Sequence, residues 1–576
     1  MSLVATNPKN VILTPRQLCE LEMILDGSYN PVTTYMSQAD YESVCQNLEL
    51  TNGEFFPLPI NLDLTQSQLT KLNVTVGDTL TLMNDENLPL ASLEVGEIYQ
   101  PDLNQECEKT LGTTDTNHPY AKTLLERTES TYYLAGKLTQ VNAFQHSDFS
   151  AWRRTPAETR ELIKQHGWEQ VVGFQTRNPM HRCHYEVTLQ LTREVAAASA
   201  SASANSGGGV NHASTGLLLT PTVGVTQECD IDYYTRVKCY IQLVKRYPEE
   251  FSADLCLLPL AMRMAGPREA LLHAVVRRNY GCTHFIIGRD HAGPSYKPSD
   301  GRASFYGPYE AHELARKYES RLGIKTLFMQ MMSYVSNIDS YLPDNQITKE
   351  QQVFVKNISG TQFREMLLSG ETIPEWFSFP ETVQTLKDHL RTPREEGFCI
   401  YTMGLSGGGK TTLVKRLKDR LMEHNLYKRN ITILDADIIR QNLSKGLGFS
   451  REDRSTNVQR IGYVASEIVK HGGIVLVANI APYRDDREIN RVAISKEGHY
   501  YGVYVDTSLE TCKARDCKGL YALAEKGEIK MTGVNDPYEV PDSSECQFIF
   551  QSENHQSLDN EVNLILKTLI DANLIS

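Results

Sequence analysis

Two short segments of the chain combine residue types that could act on phosphate groups. The first, Gly404–Thr411, reads GLSGGGKT and fits the pattern G-x-x-x-x-G-K-[ST]. In such a loop the backbone amides and the start of the following helix converge on phosphate oxygens. Lys410 would reach the β- and γ-phosphates of a nucleotide, and the hydroxyl of Thr411 would ligate Mg²⁺. This segment therefore predicts a site for a nucleoside triphosphate.

The second segment, Gln175–His184, reads QTRNPMHRCH. Pro179 is typical of a helix start, so His181 and His184 are expected on one face of the first helical turns. Three roles fit such a pair: metal ligation, structural hydrogen bonding, or a phosphate site in which the imidazoles and Arg177 stabilise charge. The sequence offers no third metal ligand at a recognisable spacing. Spacing alone does not separate the other two roles.

Carboxylates and basic residues follow the glycine-rich loop. Asp435 and Asp437 come directly after the apolar run 431–434, where the strand ends of an α/β sheet bind ligands. They could hold hydrated Mg²⁺ or accept a proton from a substrate hydroxyl. A second anionic substrate could be bound by polar side chains further along, which are Arg440, Arg454, Asn457 and Lys518. Each alone would be an ordinary surface residue, so the prediction depends on their grouping.

Buried strands must position both segments. The apolar run Phe398–Met403 precedes the glycine-rich loop, and a helical stretch, 412–423, follows it. Val171–Phe174 precedes the histidine segment in the same way. Short apolar runs alternate with helical patterns from about residue 152, which predicts parallel α/β sheets.

The chain divides into four predicted segments. Residues 1–145 show period-two patterns typical of a mainly β domain, after a helix capped by Thr14 and Pro15 and ended at Gly27. Residues 146–345 form an α/β domain, with small residues over 196–213 indicating a flexible insertion. Residues 346–395 form a small helical segment and a linker. Residues 396–576 form a second α/β unit.

Composition limits the functional classes. The 576 residues carry 58 Lys+Arg against 71 Asp+Glu, a net charge of −13, which argues against nucleic acid as a partner. The sequence has no apolar stretch long enough to span a bilayer, so no membrane partner is expected. Twelve scattered cysteines without a C-x-x-C pair, and no secretory leader, indicate a cytoplasmic protein.

The C-terminal unit resembles adenylylsulfate (APS) kinases. The resemblance rests on GLSGGGKTT, LDADIIRQNL, GFSREDRSTNVQRI, VLVANIAPYR, ARDCKGLY and GEIKMTGVNDPYE, in this order. It implies transfer of the γ-phosphoryl group of ATP to the 3′-hydroxyl of APS, giving PAPS, with Mg²⁺ as cofactor and Thr411 as its ligand. Lys410 and Asp437 would be catalytic. ATP would contact Gly404, Leu405, Ser406, Gly407, Gly408, Gly409, Lys410, Thr411 and Thr412. APS would contact Asp437, Arg440, Phe449, Arg454, Asn457, Ile480, Ala481 and Lys518.

Three positions depart from that family's pattern. Ala481 stands where many members carry a serine, and Asp435-Ala-Asp437 replaces the usual D-G-D. The stretch Lys530–Thr532 is one residue shorter than the usual K-[NG]-F-T and lacks an aromatic that normally faces the substrate. These three differences put the affinity for APS in question, whereas the phosphate loop contains every residue of its pattern.

Residues 10–390 resemble ATP sulfurylase (sulfate adenylyltransferase). The resemblance rests on QTRNPMHRCH, LPLAMRMAGPREALLHAVVRRNYGCTHFIIGRDHAGP, FYGPYEA and ISGTQFREMLLSGETIPEWFSFPE. It implies the reaction ATP + sulfate ⇌ APS + pyrophosphate, on a nucleotidylyltransferase-type (HxxH) α/β domain behind a PUA-like β domain. The stretch Cys229–Arg236 (CDIDYYTR) departs from the common G-D-[IV]-D-H-H-T-R outside the matched catalytic positions.

That resemblance also assigns roles by position. Sulfate would be held by Gln175, Arg177 and the backbone of Ala292. Thr176, Arg177 and Asn178 would form the catalytic loop, and His181 and His184 would stabilise the transition state and the departing pyrophosphate. ATP would contact Gln175, Thr176, Arg177, Asn178, Gly288, Arg289, Asp290, His291 and Met332, with Met331 beside the substrates.

Together these resemblances predict an α/β multidomain enzyme that makes APS and then phosphorylates it. The expected partners are ATP, sulfate, APS, PAPS and pyrophosphate, and the chain is expected to form a homo-oligomer. An alternative is a sulfurylase whose kinase-like domain is non-catalytic and senses PAPS. The complete phosphate loop, including Lys410 and Thr411, favours a working kinase.

Overall fold

The computed structural model describes residues 9–205, 215–390, 396–424, 430–516, 518–551 and 555–575. The chain forms two compact units, Met1–His146 with Ser150–Leu386, and Ser147–Phe149 with Lys387–Ser576.

A mixed five-stranded sheet supports the N-terminal part of the first unit. Its strands are β1 (Lys9–Ile12), β2 (Leu62–Thr65), β3 (Thr79–Met83), β4 (Pro89–Tyr99) and β5 (Thr131–Gln140), in the order β1-β3-β4-β5-β2. Its helices are α1 (Pro15–Leu25), α2 (Gln38–Asn47), α3 (Gln66–Leu72), α4 (Leu103–Thr110) and α5 (Pro119–Leu125). The predicted ends of α1 are confirmed, since Thr14 forms a capping box with Gln17 and Gly27 takes a φ of 82°.

A parallel five-stranded sheet forms the next part of this unit. Its strands are β6 (Gln170–Phe174), β7 (Thr215–Leu219), β8 (Ala253–Leu255), β9 (His284–Ile287) and β10 (Lys325–Phe328), in the order β10-β9-β6-β7-β8. Its helices are α6 (Pro156–Gln165), α7 (Arg182–Asn205), α8 (Tyr233–Val244), α9 (Gly266–Asn279) and α10 (Glu310–Leu322). The strand order reverses between β6 and β9, and ligands of such sheets bind in the crevice at this point.

Helix α7 differs from its prediction at both ends. It begins at Arg182 rather than near Pro179, so His181 lies just before the helix. The amide of Arg182 donates to the carbonyl of Phe377 (3.0 Å), a long-range contact that local sequence cannot reveal. The predicted insertion over 196–213 is helical up to Asn205, because alanine is the strongest helix former. Residues 206–214 lie outside the described residues.

Short elements complete the first unit. They are β11 (Met332–Val335), β12 (Ser340–Pro343) and β13 (Val355–Lys356), which form an antiparallel sheet, with α11 (Gly360–Ser369) and α12 (Pro380–Leu390). The N-terminal part and the α/β part of the unit share one core, in which the Ser28 hydroxyl donates to the Tyr280 hydroxyl (3.1 Å). A buried ion pair, Arg263 with Glu20 at 2.8 Å, also joins the two parts.

The second unit is built on another parallel sheet. Its strands are β14 (Phe398–Met403), β15 (Ile431–Asp435), β16 (Ile474–Asn479), β17 (His499–Val505) and β18 (Phe548–Phe550), in the order β15-β16-β14-β17-β18. Its helices are α13 (Lys410–Glu423), α14 (Ala436–Gln441), α15 (Arg451–Lys470), α16 (Arg484–Glu497), α17 (Leu509–Arg515), α18 (Leu520–Glu525) and α19 (His555–Asp571). The central strand β14 is buried along its whole length and leads directly into the glycine-rich loop.

In the part of the chain that the structure describes, no helix is both long enough and apolar enough to cross a bilayer.

Candidate active sites

Gln175 is the first residue after β6 and is buried. Its side-chain amide donates to the Thr222 hydroxyl at 3.1 Å. The other end of the amide, the acceptor oxygen Oε1, is buried and has no hydrogen-bond partner among the described residues. A buried acceptor without a partner is costly, so this oxygen is available to a donor group of a ligand.

Arg177 joins the loops that follow β6 and β9. Its guanidinium donates to a carboxylate oxygen of Asp230 (2.6 Å) and to the carbonyl of Gly293 (3.0 Å). Asp230 also accepts a hydrogen bond from the Gln227 amide at 3.0 Å. The orientation of Arg177 is therefore fixed from two directions, and sequence reasoning missed Asp230 as one of the anchors.

Helix α8 holds the backbone of the same loop. The buried Tyr240 hydroxyl bonds to the carbonyls of Thr176 (3.1 Å) and Asn178 (3.3 Å), and the buried Arg236 guanidinium donates to the carbonyl of Arg177 (2.8 Å). These two supporting residues were also missed. The sequence contained one signal for them, because Arg236 and Tyr240 are four residues apart and therefore share one face of a helix.

The two histidines of the HxxH segment lie near each other, with ring centroids 6.3 Å apart. His181 packs against the rings of Phe363 and Phe377, and its Nδ1 lies 3.1 Å from the hydroxyl of Ser378. Burial, with a smaller effect of His184, lowers the pKa of His181 to about 3. His181 is therefore neutral at physiological pH.

The loop after β9 has an unusual backbone. Asp290 and Ala292 have φ values of 52° and 54°, which non-glycine residues adopt at a cost. The carbonyl of Ala292 accepts the amide of Gly266 (3.1 Å), and the amide of Gly288 donates to Nδ1 of His291 (3.2 Å). Such strain is typical of functional sites.

Side chains from other elements border this loop. Arg289 pairs with the carboxylate of Asp290 (2.9 Å) and lies 2.8 Å from the sulfur of Met331. Met332 begins β11 next to it. The structure thus brings together the loops after β6 and β9, which sequence reasoning placed on separate motifs.

Lys410, the lysine of the glycine-rich loop in the second unit, has a buried side chain. The ammonium of Lys410 donates to the carbonyl of Leu405 (2.7 Å), and burial lowers the pKa of Lys410 from 10.5 to about 8. The hydroxyl of Thr411 donates to Asp435 (2.9 Å), whose second oxygen accepts the amide of Asp437 (2.9 Å). A hydroxyl and a carboxylate so close together are the hard oxygen ligands that Mg²⁺ prefers.

Neighbouring hydroxyls fix the shape of this loop. Tyr521 donates to the carbonyl of Ser406 and Thr507 to that of Gly408, each at 2.8 Å. Gly404 has a φ of 147°, and a Cβ there would lie 2.6 Å from the Val505 carbonyl oxygen. The Gly408 amide donates to the Leu405 carbonyl (3.1 Å), and the other amides of the loop remain for phosphate oxygens. Gly407, Gly409 and Thr412 complete the predicted ATP-binding stretch.

An aromatic ring lies between two arginines beside the loop. Phe449 is 59% exposed, and the guanidinium carbons of Arg440 and Arg454 lie 4.7 and 5.7 Å from its ring centre. Arg454 also pairs with Asp536 at 2.9 Å. Lys518 forms an ion pair with Asp437.

The remaining predicted APS contacts are buried or adjacent to buried residues. The amide oxygen of Asn457 is buried without a hydrogen-bond partner in the described structure. Ala481, next to Ile480, is completely buried and has a φ of 48°. Met531, in the shortened stretch, packs into an apolar cluster with Leu405. An adjoining open cavity of about 550 Å³ is lined by Leu405, Gly533, Val534, Asn535, Asp536, Pro537, Tyr538 and Val540.

Both sites lie at the carboxyl ends of parallel strands, which defines an α/β enzyme that handles phosphate groups at two places. The chain is 41% identical to the sulfate adenylyltransferase of Gibberella zeae, over 96% of this chain and 93% of that one. It is also 41% identical to the sulfate adenylyltransferase of Aspergillus oryzae, over 97% and 93%. The chain belongs to the sulfate adenylyltransferase family and carries an adenylylsulphate kinase domain.

Family models divide the chain in the same way. A PUA-like domain matches residues 3–143, ATP-sulfurylase matches 150–389 and adenylylsulphate kinase matches 396–548. A solved structure described as a hexameric APS kinase from Thiobacillus denitrificans is 30% identical, with a TM-score of 0.53, covering 99% of this chain and 94% of that one. The predicted families and fold classes are confirmed. The roles of individual residues remain predictions.

Proposed function

We propose that this chain carries out both steps of sulfate activation. The first step transfers the adenylyl group of ATP to sulfate and gives APS and pyrophosphate. The second transfers the γ-phosphoryl group of another ATP to the 3′-hydroxyl of APS and gives PAPS. The observation that carries the second step is the intact phosphate loop, with Lys410 buried beneath it and Thr411 bonded to Asp435.

In the first step a sulfate oxygen attacks the α-phosphorus of ATP as pyrophosphate leaves. Sulfate is a poor nucleophile, so positioning and charge stabilisation supply most of the rate. Arg177, already oriented by Asp230, donates to the sulfate, and Gln175 binds it through a side-chain N–H, because its free oxygen accepts only. His181 and His184 donate hydrogen bonds to the phosphates as negative charge moves onto the pyrophosphate. The low pKa of His181 supports a neutral imidazole as a hydrogen-bond donor.

In the second step the chain's residues act mainly by position. Lys410 binds the β- and γ-phosphates, and Asp437 orients the 3′-hydroxyl of APS. Phe449 offers a flat face to the adenine, and Arg440 and Arg454 attract the anionic substrate. Mg²⁺, held by Thr411 and Asp435, would neutralise charge on the phosphates when bound.

A regulatory role for the second unit is the alternative. Ala481 and Met531 depart from the kinase pattern, and Met531 is buried rather than directed at a substrate. Both fungal relatives named above carry the name of the first activity alone. In this case PAPS would bind the second unit without turnover and alter the first activity.

The decisive experiment supplies purified full-length protein with APS, ATP and Mg²⁺ and separates the nucleotides to detect PAPS. PAPS formation that is lost in Lys410→Ala supports two working enzymes. His184→Ala is the matched control, because it should abolish sulfate-dependent pyrophosphate release and leave PAPS formation intact. Pyrophosphate release without any PAPS would overturn the second step and favour the regulatory role.

We further propose a cytoplasmic homo-oligomer. The relative from Thiobacillus denitrificans is described as a hexamer, which supports assembly of this chain. Gel filtration with light scattering measures the mass, and a monomer at working concentrations would contradict this proposal.

A further inference from the structure

A row of buried polar side chains lies behind the loop that follows β9. Glu269, His273 and Arg277 are spaced four apart on one face of α9, and each is at most 1% exposed. Burying charged and polar groups is costly unless they have partners, so this row requires an explanation. Its neighbour is the ring of His291, which points inward from the loop and is 9% exposed.

The hydrogen bonds determine where the protons lie. The amide of Gly288 donates to Nδ1 of His291, so this nitrogen carries no proton. Burial lowers the pKa of His291 and of His273 well below the usual range, so both rings are neutral. The proton of His291 is then on Nε2, which lies 2.9 Å from Nδ1 of His273 and donates to it.

The same reasoning places the proton of His273. His273 must carry its proton on Nε2, because its Nδ1 accepts a hydrogen bond. This Nε2 lies 3.6 Å from an oxygen of Glu269, beyond hydrogen-bond distance, and has no hydrogen-bond partner among the described residues. Glu269 is itself held by the amides of Arg263 and Ala265, each at 2.9 Å. A one-directional chain of hydrogen bonds therefore runs from the loop amide of Gly288 through His291 and ends at Nδ1 of His273.

These hydrogen bonds support a strained segment of backbone at the first site. His291 lies between Asp290 and Ala292, whose positive φ values persist only if the surroundings impose them. From the other side, Gly266 donates to the Ala292 carbonyl (3.1 Å). The inward hydrogen bond of His291 is thus the side-chain anchor of this turn.

We propose that His273 is a positioning residue for the reaction, because it fixes the ring of His291 and thereby the backbone of Gly288 to Ala292 against the substrates. This inference rests on the proposed function, which places ATP and sulfate at that backbone. Residue 273 must present a hydrogen-bond acceptor at its δ position to hold His291, whereas the rest of the imidazole is not required.

Two substitutions separate this requirement from a general need for packing. His273→Asn places an amide oxygen near the former Nδ1, where it can accept the Nε2 proton of His291. His273→Gln buries the same amide group one bond further out, towards Glu269, and leaves His291 without its acceptor. We expect the Asn variant to keep kcat/KM for sulfate and for ATP within about threefold of the wild type. We expect the Gln variant to lose about tenfold or more, mainly through KM.

Hydrogen exchange supplies a readout that is independent of activity. Exchange of the Gly288 amide in the unliganded full-length protein should accelerate about tenfold in the Gln variant and stay near the wild-type rate in the Asn variant. Equal kinetics and equal exchange in the two variants would overturn the positioning role. If the wild type makes no APS, the proposed function fails, and the exchange contrast alone decides the role of His273.

Discussion

The hydroxyl of Ser378 lies 3.1 Å from Nδ1 of His181, although the two residues are 197 positions apart. Ser378 is 1% exposed and lies in the turn before α12. The neighbouring carbonyl of Phe377 accepts the amide of Arg182 at 3.0 Å. If the serine donates its proton, the proton of the neutral imidazole is on Nε2, the nitrogen free to meet phosphate oxygens.

Ser378→Ala should therefore weaken the first reaction without preventing folding. One neutral hydrogen bond contributes about 1 kcal/mol, so kcat/KM should fall about fivefold as the imidazole loses its fixed orientation. The measurement is ATP formation from APS and pyrophosphate. Ser369→Ala, at the exposed end of α11, is the matched control. A kcat/KM within twofold of the wild type would show that Ser378 does not orient His181.

Arg177→Lys tests whether the fork of the guanidinium matters. Lysine keeps the positive charge, but it cannot reach Asp230 and the Gly293 carbonyl together while facing sulfate. We expect kcat/KM for sulfate to fall at least about tenfold, and sulfate-dependent pyrophosphate release measures it. Arg302→Lys serves as the control, because Arg302 forms an exposed ion pair with Asp300. Unchanged kinetics would mean that charge alone suffices at this position.

The lowered pKa of Lys410 predicts a pH dependence of nucleotide binding. In the free protein the pKa of Lys410 is about 8. Bound phosphates favour the charged ammonium, so the pKa of Lys410 is higher in the nucleotide complex. Binding therefore takes up a proton above pH 8, and affinity should fall up to about tenfold per pH unit there, while it is flat below pH 7. Calorimetry with a non-hydrolysable ATP analogue, in buffers of different ionisation enthalpy, measures this uptake.

Lys410→Met provides the control for this titration. The variant should bind the analogue more weakly and lose the slope above pH 8, because it has no titratable group at that position. An equal slope in the variant would assign the titration to another group.

Sequence reasoning predicted the parts of the sites that are contiguous in the chain. The loop at Gly404–Thr411 and its flanking strand and helix were found because their contacts are local. Asp230, Tyr240 and Ser378 were missed because each contacts its partner across many intervening residues. A sequence pattern indicates which face of an element a residue occupies. The packing of the whole unit decides which distant group that residue contacts.

The start of α7 illustrates the same limit. Pro179 favours a helix start by local geometry, but the helix begins at Arg182, whose amide bonds to Phe377. The first amides of a helix have no partner within it, so a distant carbonyl can satisfy one of them. The paired histidines are neighbours as predicted, although His181 lies just before the helix. The Ser378 hydroxyl that meets His181 and the Phe377 carbonyl that meets Arg182 were not predicted.

Thr411→Val tests the assignment of the cation ligands in the second unit. Valine keeps the shape of threonine but removes the hydroxyl that lies 2.9 Å from the carboxylate of Asp435. With one oxygen ligand lost, the Mg²⁺ concentration that gives half-maximal PAPS formation should rise about tenfold, whereas Thr411→Ser, which keeps the hydroxyl, should match the wild type. Titrating Mg²⁺ at constant APS, with ATP held below the lowest Mg²⁺ concentration, measures the shift. If Val and Ser variants respond to Mg²⁺ alike, the hydroxyl of Thr411 is not a ligand, and the hydrogen bond to Asp435 serves only to shape the loop.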